Sequence, residues 1–176
     1  DSASRGLGDV YKRQGENREA LELLQQAANK GYAKSIGVSN YTIEMIEEAC
    51  ATLDDLPVCN QVEFHPYLDQ SKLFAAATRL GIALSAYCPL AKGRIFGDPV
   101  IKTLAAKYNR SEAQIILRWI VQKGVSANPM STKPENLSAN LEAVNFNLSA
   151  PDSAAIDRLG KKGLRIVDKD RMPIAP

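Results

Sequence analysis

The apolar positions of this chain alternate between two rhythms. From Glu16, the stretch ENREALELLQQAANKGY sets Ala20, Leu21, Leu24, Ala27 and Ala28 on one stripe at helical spacing, with Gly31 placed as a C′ residue. KSIGV (34–38) then reads as a short strand, and TIEMIEEACATL as a helix with Thr42 at its N-cap. PVCNQVEF (57–64) is a second strand, DQSKLFAAATRLG a helix from about Gln70 closed by Gly81, and IALSAY (82–87) a third strand. After the loop CPLAKGRIFGD come two helices, PVIKTLAAKY and SEAQIILRWIVQKG, the second capped by Ser111 and ended by Gly124. VSAN (125–128) is a fourth strand, followed by a helix over PENLSANLEAV. A last helix, SAPDSAAIDRLG, opens on a predicted capping box of Ser149 and Asp152.

Strands separated by helices imply parallel pairing through right-handed crossovers, so the fold class is α/β. Four such units make either a small open sheet or half of an eight-unit barrel. A complete barrel takes roughly 250 residues, and this chain has 176. Composition narrows the partners. Apolar residues make up 45% and charged residues 24%, an ordinary balance for a globular chain. With a formal charge of +2 and no basic cluster interleaved with aromatics, nucleic acid is not an expected partner. No apolar run reaches the roughly 18 residues of a membrane span, and no secretory signal pattern is visible, so no membrane association is expected. The three cysteines (Cys50, Cys59, Cys88) lack C-x-x-C spacing, which argues against disulfide and zinc frameworks and fits a reducing cytoplasm.

Candidate chemistry gathers where each strand ends, the rim at which parallel α/β folds bind ligands. Ser39 and Asn40 offer a hydroxyl and an amide able to fix a planar carboxamide, or else they turn the chain into the next helix. Gln61 sits at a strand position that favours burial unless it faces a ligand. His65, the single histidine, has no neighbouring nucleophile or second ligand and reads as a satisfied loop residue. Tyr87 ends a strand and either stacks on a flat ring or packs in the core. Ser131, Thr132 and Lys133 precede a helix, as an anion site or as a plain cap with a surface lysine.

In this order, on four successive strands, these motifs resemble those of the aldo-keto reductases, NAD(P)H-dependent (β/α)8 barrels. The likeness is to the C-terminal half of the barrel, covers about Leu21 to Pro176, and is greatest with bacterial 2,5-diketo-gluconate and methylglyoxal reductase types. It implies that Ser39, Asn40 and Gln61 hold the nicotinamide carboxamide and that Tyr87 stacks on the nicotinamide ring. By the same likeness Cys88, Pro89, Leu90 and Lys92 cover the pyrophosphate. Ser131, Thr132, Lys133, Asn136 and Asn140 would grip the adenosine 2′-phosphate and adenine. Two positions depart from the family pattern: Met130 stands where Lys is common, and Asn136 where Arg is common. NADPH is the expected cofactor, held chiefly through Lys133, with NADH the alternative. Family chemistry also needs an Asp, a Tyr proton donor, a Lys and a His. All four belong to the first half of the barrel, which this chain does not match, so no catalytic residue is assigned.

Where the fourth strand of such a barrel would stand, the chain reads SRGLGDVYKRQ. One back-translation of Asp9 to Gln14, GAT GTG TAT AAG AGA CAG, resembles a transposon end used in sequencing libraries. Residues 1–14 are therefore expected to be translated adaptor, packing on nothing, and 15–176 to be a partial barrel. The implied activity is reduction of small-molecule aldehydes, ketones or keto-sugars by a parent protein expected to be monomeric. The competing readings are a non-catalytic cofactor-binding half-barrel and an unrelated open-sheet binding domain. A half barrel exposes strand edges and an apolar inner face, so the fragment is expected to be marginal or to self-associate.

Overall fold

The computed structural model describes residues 14–167, with side chains from Asn17 onward. The adaptor reading, Gln14 apart, and the last nine residues of the chain thus lie outside the described residues. The elements are α1 (Gln14–Asn29), β1 (Val38–Ser39), α2 (Ile43–Thr52), β2 (Cys59–Glu63), α3 (Ser71–Leu80) and β3 (Ala83–Tyr87). They continue as α4 (Pro99–Tyr108), α5 (Glu112–Gln122), β4 (Ser126–Ala127), α6 (Pro134–Leu141) and α7 (Ala150–Asp157). The sheet order is β1-β2-β3-β4; β1 pairs parallel to β2 and β3 parallel to β4. The α/β class with four helix-separated strands is therefore as the spacing predicts.

The helix-to-strand turns follow from local chemistry. At the end of α3, Gly81 takes a left-handed φ of 73°, its N–H bonds Thr78 O, and the Ile82 N–H reaches back to Ala77 O. This double bond pattern satisfies carbonyls that would otherwise be orphaned, and only a residue without Cβ enters it without strain. Gly124 repeats it after α5, with Val125 N–H bonding Ile120 O. Val125 is thereby drawn into the helix ending, which is why β4 is shorter than the predicted 125–128. β1 is shorter as well. Lys34 and Ser35 are exposed, and pairing begins only when Ile36 O accepts from Val58 N–H. Gly37 then lies so close to β2 that a Cβ there would stand 2.9 Å from Cys59 Sγ.

Ser111 caps α5 as expected, whereas Ser149 falls short of its predicted box. The reciprocal capping box forms at Ser111, where Gln114 N–H donates to the Ser111 hydroxyl and Gln114 Oε1 accepts from the Ser111 N–H. At Ser149 only half of one forms. Asp152 N–H donates to Ser149 Oγ, but the Ser149 N–H donates to Tyr108 Oη, because the Asp152 carboxylate is engaged by Lys107, Tyr108 and the Ser149 hydroxyl.

By internal contacts the chain forms two compact units, one running through Val62 and including Lys72–Leu84, the other comprising Glu63–Ser71 and Ser85–Ile166. In the first, Leu21, Ile36, Val38, Ala49 and Leu53 form a buried cluster, with Leu24, Ala28 and Tyr41 packed against it. In the second, α4 packs on α5 and α7, burying Ile101, Leu104, Ile115, Ile116, Ile120 and Ile156. Each such aliphatic side chain contributes about 1.5–3 kcal/mol of hydrophobic stabilisation. Phe64 and Trp119 stack at 5.5 Å between ring centroids.

Candidate functional site

The rim residues of the first unit are fastened to one carbonyl. Gln61 O accepts from the Ser39 hydroxyl at 3.0 Å and from the Asn40 N–H at 2.9 Å. Ser39 and Gln61 are register partners in the β1–β2 pair, and Asn40 turns the chain out of the strand at a left-handed φ of 57°. Asn tolerates that conformation better than most residues. Neither residue caps the following helix: Thr42 does, its hydroxyl accepting from Met45 N–H. From the opposite side of β2, buried Asn60 holds the Tyr41 N–H and carbonyl with its own amide. The turn is thus gripped from two sides.

Gln61 is exposed although its neighbours Asn60 and Val62 are buried, so the side chain on which the sequence left the choice open faces outward from the strand. Because the Ser39 hydroxyl donates its proton to Gln61 O, the Ser39 oxygen remains an acceptor. A hydroxyl acceptor, an exposed carboxamide and an Asn in one short register form a donor–acceptor set suited to a planar amide.

In the second unit Tyr87 ends β3 half-buried, its carbonyl accepting from Phe64 N–H at 3.3 Å. The loop after it is conformationally unusual. Cys88, Ala91 and Lys92 all lie in the left-handed region, at φ of 49°, 49° and 50°, and Gly93 follows at 83°. Such backbone costs of order 1–3 kcal/mol for each non-glycine residue, and it collects where a site over-determines the chain. The loop turns back through Cys88 O accepting from Ala91 N–H and Leu90 O from Gly93 N–H. Pro89 and Ala91 face in, Leu90 is half-buried, and Lys92 is exposed. Burial, and then the nearby Glu63 carboxylate, push the Cys88 thiol up, so it stays protonated; Lys92 opposes them.

The third group surrounds the start of α6. Ser131 Oγ accepts from the Lys133 N–H at 3.2 Å, and Lys133 occupies the N-cap position without a side-chain cap of its own. Thr132, Lys133 and Asn136 are exposed, while Ser131 and Asn140 are half-buried. Met130 is 93% exposed and brings no charge. Among the described residues there is no cluster of metal-ligating side chains, and no helix is long and apolar enough to cross a membrane.

Two polar networks escaped the sequence reading. His65 is fully buried; its Nδ1 accepts from Tyr67 N–H, so its proton lies on Nε2 and is donated to Glu63 Oε1 at 2.9 Å. That oxygen also accepts from Ile166 N–H. His65 is accordingly the satisfied loop residue expected of it. The second network centres on Asp98, whose Oδ1 caps α4 through Val100 N–H and Ile101 N–H. Its Oδ2 accepts from Tyr67 Oη at 2.7 Å and Lys162 Nζ at 2.8 Å. Burial raises the Asp98 carboxyl, but the bonds from Lys162, Tyr67 and Val100 outweigh it and hold the group below the usual carboxylate range. Polar residues two apart at a strand end (Glu63, His65) were the only local signal for either network.

Comparison with known proteins places these residues in context. The profile described as "Aldo/keto reductase family" matches residues 9–161. Methylglyoxal reductase DkgB of Escherichia coli O157:H7 is 42% identical over 142 residues, which are 80% of this chain and 53% of that protein. The oxidoreductase YtbE of Bacillus subtilis is 38% identical over 148 residues, 84% of this chain and 53% of its own length. Among solved structures, a putative 2,5-diketo-D-gluconic acid reductase B superposes with a TM-score of 0.88 at 30% identity, covering 95% of this chain and 60% of its own. The Bombyx mori aldo-keto reductase AKR2E4, solved in complex with NADP, gives a TM-score of 0.82 at 30% identity, covering 93% and 58%. The chain thus spans about half the length of the curated relatives it matches.

Proposed function

Because the chain belongs to the aldo/keto reductase family, we propose that it is the cofactor-binding portion of an NADPH-dependent reductase of aldehydes, ketones or keto-sugars. The observation that carries this reading is Gln61: an exposed carboxamide in mid-strand, with Ser39 and Asn40 both tied to its carbonyl. That donor set matches the amide of a nicotinamide, which Ser39, Asn40 and Gln61 would hold. Tyr87 would stack on the ring, and Cys88, Pro89, Leu90 and Lys92 would cover the pyrophosphate. Lys133, with Ser131 and Thr132, would meet the 2′-phosphate, and Asn136 and Asn140 would lie beside the adenine. When bound, the reduced nicotinamide supplies hydride to a carbonyl carbon. The residues of this chain bind and orient it and exclude water from it. The Asp, Tyr, Lys and His of family chemistry would come from the other half of the barrel.

With Met130 and Asn136 uncharged, Lys133 is the phosphate cation of this site, and NADH is the competing cofactor. In this reading the parent enzyme is a cytoplasmic monomer and residues 1–14 are not native. Sequencing the source DNA across the codon for Gly15 tests that last part.

The direct test is equilibrium titration with NADPH and NADH, followed by fluorescence from Trp119. NADPH is expected to bind more tightly than NADH. Lys133→Met should weaken NADPH about tenfold, the scale of one hydrogen bond to a charged group, while leaving NADH nearly unchanged. Gln61→Ala should weaken both. Equal binding of both cofactors by wild type and Gln61→Ala would overturn the assignment. Carbonyl-dependent NADPH oxidation by the parent protein separates a reductase from a module that only binds.

A further inference from the structure

The Asp98 network does more than cap a helix. It joins three stretches of chain: the loop after β2 through Tyr67, the end of the 88–97 loop through Asp98 itself, and the C-terminal segment through Lys162. Each carboxylate oxygen has a separate task. Oδ1 fixes the start of α4, and Oδ2, in a side chain only 3% exposed, receives the Tyr67 hydroxyl and the Lys162 ammonium. Lys162 also stands 3.8 Å from the centroid of the Tyr67 ring, so its charge is held by both partners at once. Beside it, Leu164 N–H donates to Tyr67 O, and Gly160 lies against Asp69 so closely that a Cβ would meet that residue's backbone at 3.3 Å. The segment 160–164 is thereby strapped to the 65–69 loop, and through Asp98 to the strained loop that follows β3.

We propose that Lys162, Asp98 and Tyr67 form a latch through which the C-terminal segment positions the 88–97 loop and so slows cofactor release. The last clause rests on the cofactor reading above. All three are positioning residues; none is assigned a contact with the cofactor. The loop has other anchors, since Gly97 N–H donates to Glu112 Oε2 at 2.7 Å and Ile95 is fully buried. Opening the latch therefore loosens the loop without unfolding it.

Lys162→Met keeps the aliphatic stem and removes the charge at a side chain 48% exposed. Hydrogen exchange of the whole chain reads the result without cofactor. Amides of both 88–98 and 160–166 should exchange about two- to fivefold faster, the range a partly exposed ion pair supports, while those of α5 hold their rates. Tyr67→Phe, which removes one hydroxyl, should act in the same direction, and Lys162→Arg should restore protection. Faster exchange confined to 160–166, or spread evenly over the unit, overturns the latch. NADPH dissociation should quicken by a similar factor in Lys162→Met. If the loop loosens but wild type binds no NADPH, the positioning role stands and the cofactor reading falls. If NADPH binds and both loop exchange and dissociation are unchanged, the latch falls alone.

Discussion

Glu63 offers a test of what the buried charge contributes. Its side chain is 1% exposed and that of His65 is fully buried, and one oxygen, Oε1, accepts from both His65 Nε2–H and Ile166 N–H. Glu63→Leu removes the acceptor and leaves the buried His65 Nε2–H and the part-buried Ile166 N–H without a partner. Each orphan costs about 1–3 kcal/mol, so the loss should be roughly 2–6 kcal/mol, in line with breaking a buried pair from one side. Glu63→Gln keeps an oxygen in place and loses only the charge assistance, about 1–2 kcal/mol. Glu63→Leu with His65→Leu exchanges one orphan for another, because the buried Tyr67 N–H loses its Nδ1 acceptor as the Nε2 donor goes, so it should recover nothing of the loss of the single variant. The stability order is therefore wild type, Glu63→Gln, then Glu63→Leu, with the double variant no more stable than Glu63→Leu. Urea unfolding followed by Trp119 fluorescence measures it. With m of about 1–3 kcal/mol/M, the worst variant shifts the midpoint by roughly 1 M or more. If Glu63→Leu proves at least as stable as Glu63→Gln, desolvation of the carboxylate outweighs the hydrogen bonds it accepts and the reasoning fails.

Other sites give narrower expectations. Ser111→Ala should cost about 1 kcal/mol by removing half the capping box, and Gln114→Ala more, since Gln114 Nε2 also donates to Ala139 O; thermal melts rank them. Gly37→Ala should destabilise by about 1–3 kcal/mol through overpacking, and Cys59→Ala should recover part of this by withdrawing the Sγ that stands 2.9 Å from the new Cβ. Asp152 is held at about 2, below its ordinary 3.8, chiefly by Lys107 and then by Ser149 and Tyr108. A depressed carboxyl stabilises the fold above its unfolded value and loses that contribution as pH falls through the folded one. Asp152→Asn should therefore be less stable than wild type at neutral pH, with the gap closing between about pH 4 and pH 2 in acid titrations followed by circular dichroism.

The sequence was most informative where one residue decides a turn. Gly31, Gly81 and Gly124 each follow an apolar helical stripe, and each takes the left-handed conformation that ends the helix. Thr42 and Ser111 likewise announce their helices. The candidate rim residues were found through their order along the chain, but the reason Ser39 and Asn40 hold their places, a shared carbonyl on Gln61, is a register contact 21 and 22 residues away and has no local signature. The 88–93 loop was harder still. Cys, Ala and Lys carry no signal for a left-handed backbone, so its strain comes from the fold around it rather than from its own composition. The supporting networks were invisible for the same reason at longer range: Ile166 reaches Glu63 across 103 residues and Lys162 reaches Asp98 across 64. Residues that touch a ligand betray themselves by type and position. The residues that hold them in place are ordinary acids, lysines and backbone amides, and only the folded chain brings them together.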